Sequence, residues 1–224
     1  MKTIEAVVVI LIVSLGASFV LNYSLYASNQ QLKSEFNSLN ETGIASSMSA
    51  STTDEPLGLN LSMAMNTTLL QSGQGIDVII SEKNTLSTTN TVNTSDKWQL
   101  SSLSLGPCGT INYPMGLAIF KGYYASSNIS TAEALKLYQP GTYMCPDILL
   151  DIISYTFQPI SDMASVNAPY PNFNLSMVSS VTASGYWTGG LLGHTEFSNF
   201  SSGIYTVAGG DEWGQLILLH FVVI

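Results

Sequence analysis

GIYTVAGGDEWGQLILLHFVVI, residues 203–224, is the stretch that decides the fold. Gly203-x-Tyr205-x-Val207 sets a turn residue, an aromatic and an aliphatic two apart, the form of a strand whose tyrosine pins the preceding corner. Gly209-Gly210 reads as a turn, and residues 216–224 follow it with apolar side chains on both faces. A strand without a polar face belongs in the middle of a sheet covered on both sides. Tyr205 is therefore the tyrosine-corner residue of a C-terminal hairpin.

Upstream, the same period of two appears in residues 57–65. Leu57, Leu59, Leu61, Met63 and Met65 alternate with Gly58, Asn60, Ser62 and Ala64, the pattern of a half-buried strand. Further strands are predicted over 76–82, 98–105, 115–124, 135–138, 152–157 and 177–185, with Asn-rich, Gly-Pro, Pro-Gly and Pro-rich turns between them. Helix signals are confined to short turns at 131–134, where Ser130-x-x-Glu133 has capping-box form, and at 146–150. Short strands around one core predict an all-β ectodomain over residues 57–224, an immunoglobulin-like Greek-key β-sandwich.

Two segments precede it. Residues 28–56 are rich in Ser, Asn and Thr and read as a polar tether, in which Leu32, Phe36 and Leu39 sit at helical spacing. Residues 1–27 are a membrane anchor or signal segment: the chain carries no charge from Ala6 to Leu32. The apolar part, residues 6–26, spans about 31 Å as a helix, enough to cross a bilayer. Its exit lacks the small-x-small pattern of a cleaved signal, which favours a retained single-pass anchor. Lys2 ahead of the run favours a cytoplasmic N-terminus and an extracellular C-terminal domain in the cell membrane.

Asn-x-Ser/Thr acceptors begin at Asn22, Asn40, Asn60, Asn66, Asn93, Asn128, Asn174 and Asn199. Random placement of the asparagines would give about three or four, so the eight support an exported chain glycosylated beyond the anchor. Outside the cell the two cysteines, Cys108 and Cys145, form a disulfide by default. It would close 36 intervening residues and contribute about 3 to 4 kcal/mol.

The net charge is −9, all six cations are lysine, and there is no arginine. A nucleic-acid partner needs a basic face with guanidinium forks, so that class is excluded. So few charges leave few ion pairs for acid to break, and stability is expected to depend weakly on pH in acid.

No motif specifies catalysis or a cofactor. Asp147 with Asp151 and Asp211 with Glu212 are the close acidic pairs of the domain, and both read as solvated turn carboxylates. His194, His220 and Cys145 with a methionine caricature a blue-copper set, but Cys145 is followed by Pro146 and Asp147 with no nearby histidine. Gly-x-Ser-x-Gly is absent. Tyr123, Tyr124, Tyr186, Trp187 and Trp213 are aromatic candidates for lining a glycan or peptide groove.

The opening MKTIEAVVVILIV loosely resembles archaeal type IV pilin-like leaders, although Thr3 follows Lys2 where such leaders place a small residue. SLGPCGTINYPMGLAIFKGYY, LYQPGTYMCP and GIYTVAGGDEWGQLILLHF resemble uncharacterised secreted or membrane-anchored β-sandwich surface proteins of thermoacidophilic and related archaea. That resemblance implies an extracellular sandwich with a disulfide and lends no catalytic residue. The expected function is non-catalytic surface recognition, adhesion or envelope structure, with a surface protein or glycan as partner. The alternatives are a donor-strand or pilin-like filament subunit that self-assembles, and a cupredoxin-like redox protein.

Overall fold

Alternation builds the first sheet. The computed structural model describes residues 48–108, 113–141, 143, 154–167, 173–190 and 194–224. In β2 (Leu59–Met65) the leucines and methionines point inward and Asn60, Ser62 and Ala64 outward. β4 (Ile76–Asn84) repeats the pattern with Ile76, Val78, Ile80, Glu82 and Asn84 buried. Together with β1 (Ser49–Asp54) and β10 (Val178–Ala183) they form an antiparallel sheet in the order β1-β2-β4-β10.

The C-terminal hairpin founds the second sheet. β13 (Gly203–Asp211) and β14 (Leu216–Val223) pair from Gly203↔Val223 to Gly210↔Leu216. β6 (Met115–Lys121) flanks β13 antiparallel, and the two-residue β3 (Leu69–Leu70) flanks β14 in parallel, giving the order β3-β14-β13-β6. One face packs on the first sheet within the main core. Leu100, Leu103 and Ile129, arriving on loops, bury Phe120, Ala118 and Ala208 on the other. Double coverage explains why β6, β13 and β14 read as nearly unbroken apolar runs.

A third antiparallel sheet comprises β5 (Asn90–Asn93), β7 (Ser154–Phe157), β8 (Met163–Asn167) and β9 (Phe173–Ser176), in that order. A two-stranded ribbon pairs β11 (Gly185–Thr188) with β12 (Glu196–Asn199). The chain is thus all-β, with one short 3₁₀ turn at Ile129–Thr131 among the described residues.

Several expectations are corrected. Residues 49–54, assigned to the tether, form edge strand β1. An edge strand with one face in water needs no large apolar residues, so SASTTD carries a polar composition into a sheet. Gly209 and Gly210 are strand residues. A Cβ on Gly209 would lie 2.7 Å from Met63 Sδ and one on Gly210 2.8 Å from Leu103 Cδ1, so both glycines let β13 be pressed from its two sides. The turn lies beyond them, with Gly214 at φ 102°.

Residues 98–105 contribute only the Ser104↔Leu117 bridge, and residues 135–138 only Lys136↔Trp187. Ser130 caps nothing, because the 3₁₀ turn starts after Asn128 and has no side-chain cap. The predicted anchor, residues 6–26, lies outside the described residues, among which no helix is long and apolar enough to cross a membrane.

Candidate functional site

The tip of the C-terminal hairpin is where the polar chemistry concentrates. Glu82 lies at an inward position near the end of β4, and the hairpin brings Asp211, Glu212 and Gln215 to the same place. Glu82 and Asp211 are fully buried and Glu212 and Gln215 nearly so, a correction to the reading of Asp211 and Glu212 as solvated. Periodicity had the signal for Glu82: it falls in phase with Ile76, Val78 and Ile80.

Asp211 organises the turn. Its Oδ1 accepts from the Trp213 and Gln215 backbone N–H groups at 3.0 and 2.8 Å, and its Oδ2 from Gln215 Nε2 at 2.7 Å. The same amide nitrogen lies 3.5 Å from Glu82 Oε1. Among the described residues nothing pairs with Glu82 Oε2, Glu212 Oε1 or Gln215 Oε1. Burial, then the charge and contact of Asp211, push the Glu82 carboxyl well above the usual range. Burial also raises Asp211 against the hydrogen bonds it receives, and burial with Asp211 nearby raises Glu212 to about 7. No lysine is among the groups that perturb these carboxyls. Burial and Asp211 thus favour the protonated form of Glu82, beside a heavily hydrogen-bonded Asp211. Sealed from solvent, the pair braces the fold.

Trp213 extends the brace to the third sheet. Its Nε1 donates to Asn93 O at 2.9 Å, and its ring stands edge-on to Tyr155 and Phe157, with centroids 6.1 and 6.5 Å away. Asn84 does the same from β4, with Nδ2 donating to Thr88 O and Gln158 O and Oδ1 accepting from Leu86 N–H. Above the tip an open cleft of about 600 Å³ is lined by residues that include Asp54, Glu55, Gln99, Trp213 and Gln215.

The aromatic candidates do not converge. Trp187 and Phe197 meet edge-on at 5.3 Å on the β11–β12 ribbon, beside a groove of about 320 Å³ that Glu133, Lys136 and Tyr186 help to line. Tyr123 stacks on His220 at 4.4 Å, and His220 Nε2 lies 3.0 Å from Tyr124 O. His194 is exposed near the ribbon, and among the described residues no three His, Cys, Asp or Glu side chains are grouped to hold a metal. Asp147, Asp151 and Cys145 lie outside the described residues. Cys108 is disulfide-bonded.

Tyr205 is fully buried, its hydroxyl donates to Ser201 O at 2.9 Å, and its ring stacks on Phe221 at 5.0 Å. Of the sequon asparagines, Asn66, Asn93, Asn128, Asn174 and Asn199 are exposed and Asn60 is half-buried, while Asn22 and Asn40 lie outside the described residues.

No family model matches the chain, and no curated protein does. Among solved structures it is similar to a β-glucosidase of Erythrobacter marinus, at 10% identity and TM-score 0.31 over 74% of this chain and 15% of that one. A β-glucosidase of Listeria innocua matches twice, with gluconolactone at 10% identity and TM-score 0.27 and with glucose at 9% and 0.26. In both cases 73% of this chain and 16% of that one are covered. The chain thus spans about one sixth of the length of these enzymes.

Proposed function

We propose that this chain is a membrane-anchored, N-glycosylated β-sandwich displayed on an archaeal cell surface, where it acts without catalysis in recognition, adhesion or envelope structure. The observation that carries the reading is the placement of its glycan acceptors: five of the six sequon asparagines among the described residues are exposed, on a domain preceded by an uncharged leader.

The strand order supports the immunoglobulin-like description. One sheet joins β2, β4 and β10, the other joins β6, β13 and β14, and the chain switches sheets between β2 and β3, which adds in parallel to β14. The switch between sheets supports the Greek-key reading, the parallel β3 aside, and the Tyr205–Ser201 bond at the start of β13 supports the tyrosine corner. The Cys108–Cys145 bridge belongs to the same proposal. Fractionation with protease shaving of intact cells tests it: the expected result is a membrane-bound chain that retains Met1 or Lys2 and loses its C-terminal domain to external protease. Recovery in the cytosol, inaccessible to protease, would overturn it.

A filament subunit is the second reading. It is favoured by β10, which among the described residues pairs only with β4, and by the exposed Ile79 and Val178 beside that edge. Discrete high-order oligomers of the purified full chain, lost on charging Val178, would favour it over the self-contained monomer.

A further inference from the structure

The sequons are not equivalent in the folded domain. N-glycosylation forms a bond from asparagine Nδ2 to the anomeric carbon of an oligosaccharide activated as a lipid-linked phosphate ester. The carbon–oxygen bond to the phosphate breaks, the electron pair leaves with the phosphate, and Nδ2 gives up one of its two protons. The acceptor nitrogen must therefore be reachable and have a hydrogen to spare.

Asn60 is half-buried, and its amide has no hydrogen to spare. It sits in β2 with strands on both sides, and its Nδ2 donates to Thr52 O at 3.1 Å and Thr53 Oγ1 at 2.8 Å, clasping edge strand β1. Asn66 is clamped at both ends of its amide: Nδ2 donates to Asp77 Oδ2 and Oδ1 accepts from Asp77 N–H, each at 3.0 Å. A sugar on Asn60 would take a hydrogen that holds β2 to β1, and at Asn66 the two-point clamp on Asp77 keeps the amide folded back against β4, away from the extended pose a transferase needs.

The others are held the opposite way round. Asn93 Oδ1 accepts from Ser154 Oγ at 2.6 Å, Asn174 Oδ1 from Ser165 Oγ at 3.2 Å, and Asn128 Oδ1 from Ala125 N–H at 2.8 Å. The oxygen anchors each amide, and among the described residues nothing accepts from its Nδ2. Asn199, at the end of β12, is exposed, and its side-chain amide bonds no other described residue.

Resting on the reading of the chain as an exported glycoprotein, we propose that the folded domain carries N-linked oligosaccharide at Asn93, Asn128, Asn174 and Asn199, and none at Asn60 or Asn66. The placement also has a use. Asn93 and Asn174 lie on β5 and β9, the two edge strands of the third sheet, and Asn199 lies on the ribbon. A bulky hydrated glycan on an edge strand blocks addition of a further strand.

The test is glycopeptide mapping of the full chain purified from membranes of a host that N-glycosylates its exported proteins, with glycans released in heavy-oxygen water to mark each former site. Within residues 57–224 four marked sites are expected. N93Q, N128Q, N174Q and N199Q should each lower the intact mass by one glycan, whereas N60Q and N66Q should leave it unchanged. Sugar on Asn60 or Asn66 in protein that melts cooperatively would overturn this assignment alone. A chain unmodified at every site, beside a modified control protein, would overturn the exported-glycoprotein reading as well.

Discussion

Tyr205 combines two kinds of contact that a single substitution separates. Its ring packs against Phe200 and Phe221, and its hydroxyl reaches back to Ser201 O. Tyr205→Phe keeps the packing and removes the bond, so a cost of about 0.5 to 1.5 kcal/mol is expected in denaturant melts. Gly209→Ala tests close approach instead: a methyl group 2.7 Å from Met63 Sδ and 3.0 Å from Ile80 Cδ1 forces the sheets apart. Overpacking of that kind costs about 1 to 3 kcal/mol, and an unchanged midpoint would mean the sheets yield freely there. Ile160 is the one non-glycine residue among those described with positive φ, 47°, and it is exposed. β-Branched side chains fit that conformation poorly and asparagine tolerates it, so Ile160→Asn should stabilise by about 1 kcal/mol.

Strands with a clear period or an unbroken apolar run were legible in the sequence. β2, β4, β6, β13 and β14 were all found from pattern, β14 to within a residue of its observed span. Among the strands that were missed, β1 is SASTTD, β5 is NTVN and β9 is FNLS, polar segments at sheet edges, while β3, β8 and β12 are short, and β8, MASVN, lies inside the third sheet with only Ala164 and Val166 buried. Their place is fixed by backbone pairing to a neighbour, which leaves no trace in a hydropathy pattern. Residues 98–105 misled for the converse reason. Leu100 and Leu103 are buried because the segment covers the second sheet from outside, and that needs apolar residues but no ladder. The carboxyl brace was hidden because a buried Asp-Glu pair in a turn has the same composition as a solvated one. The core sorts β14 further. Phe221 is fully buried, so Phe221→Ala should cost about 3 to 5 kcal/mol, whereas Leu218, only half-buried, should lose less on truncation. Equal losses at the two positions in the same melts would contradict the orientation of the strand.

For the molecule as a whole the brace sets the dependence of stability on pH. Glu82, Asp211 and Glu212 all have carboxyl groups raised by burial, Glu212 to about 7, and in the unfolded chain such groups titrate near 4. Between those values the folded state binds more protons than the unfolded state, so stability falls as pH rises. The contribution is complete below about pH 4 and is lost as pH climbs through the folded-state values. Asp54 adds to the repulsion on Glu82 and Asp96 to that on Glu212, whose backbone oxygen accepts from the Lys97 N–H. His220 opposes the trend. Burial lowers its pKa, so it favours the fold above its ordinary value and weakens it as pH falls, one group against three. In strong acid the carboxyls are already neutral and there are few ion pairs to lose, which keeps the weak dependence expected from composition; the steep part lies on the neutral side. Melting temperature at fixed ionic strength should fall from pH 5 to pH 8, and Glu82→Gln and Glu212→Gln, which supply neutral amides, should each flatten that slope. A wild-type melting temperature that stayed level or rose over the same interval would mean that the carboxyls are ionised and compensated in the fold, and the brace would have to be an anionic cluster held by backbone donors alone.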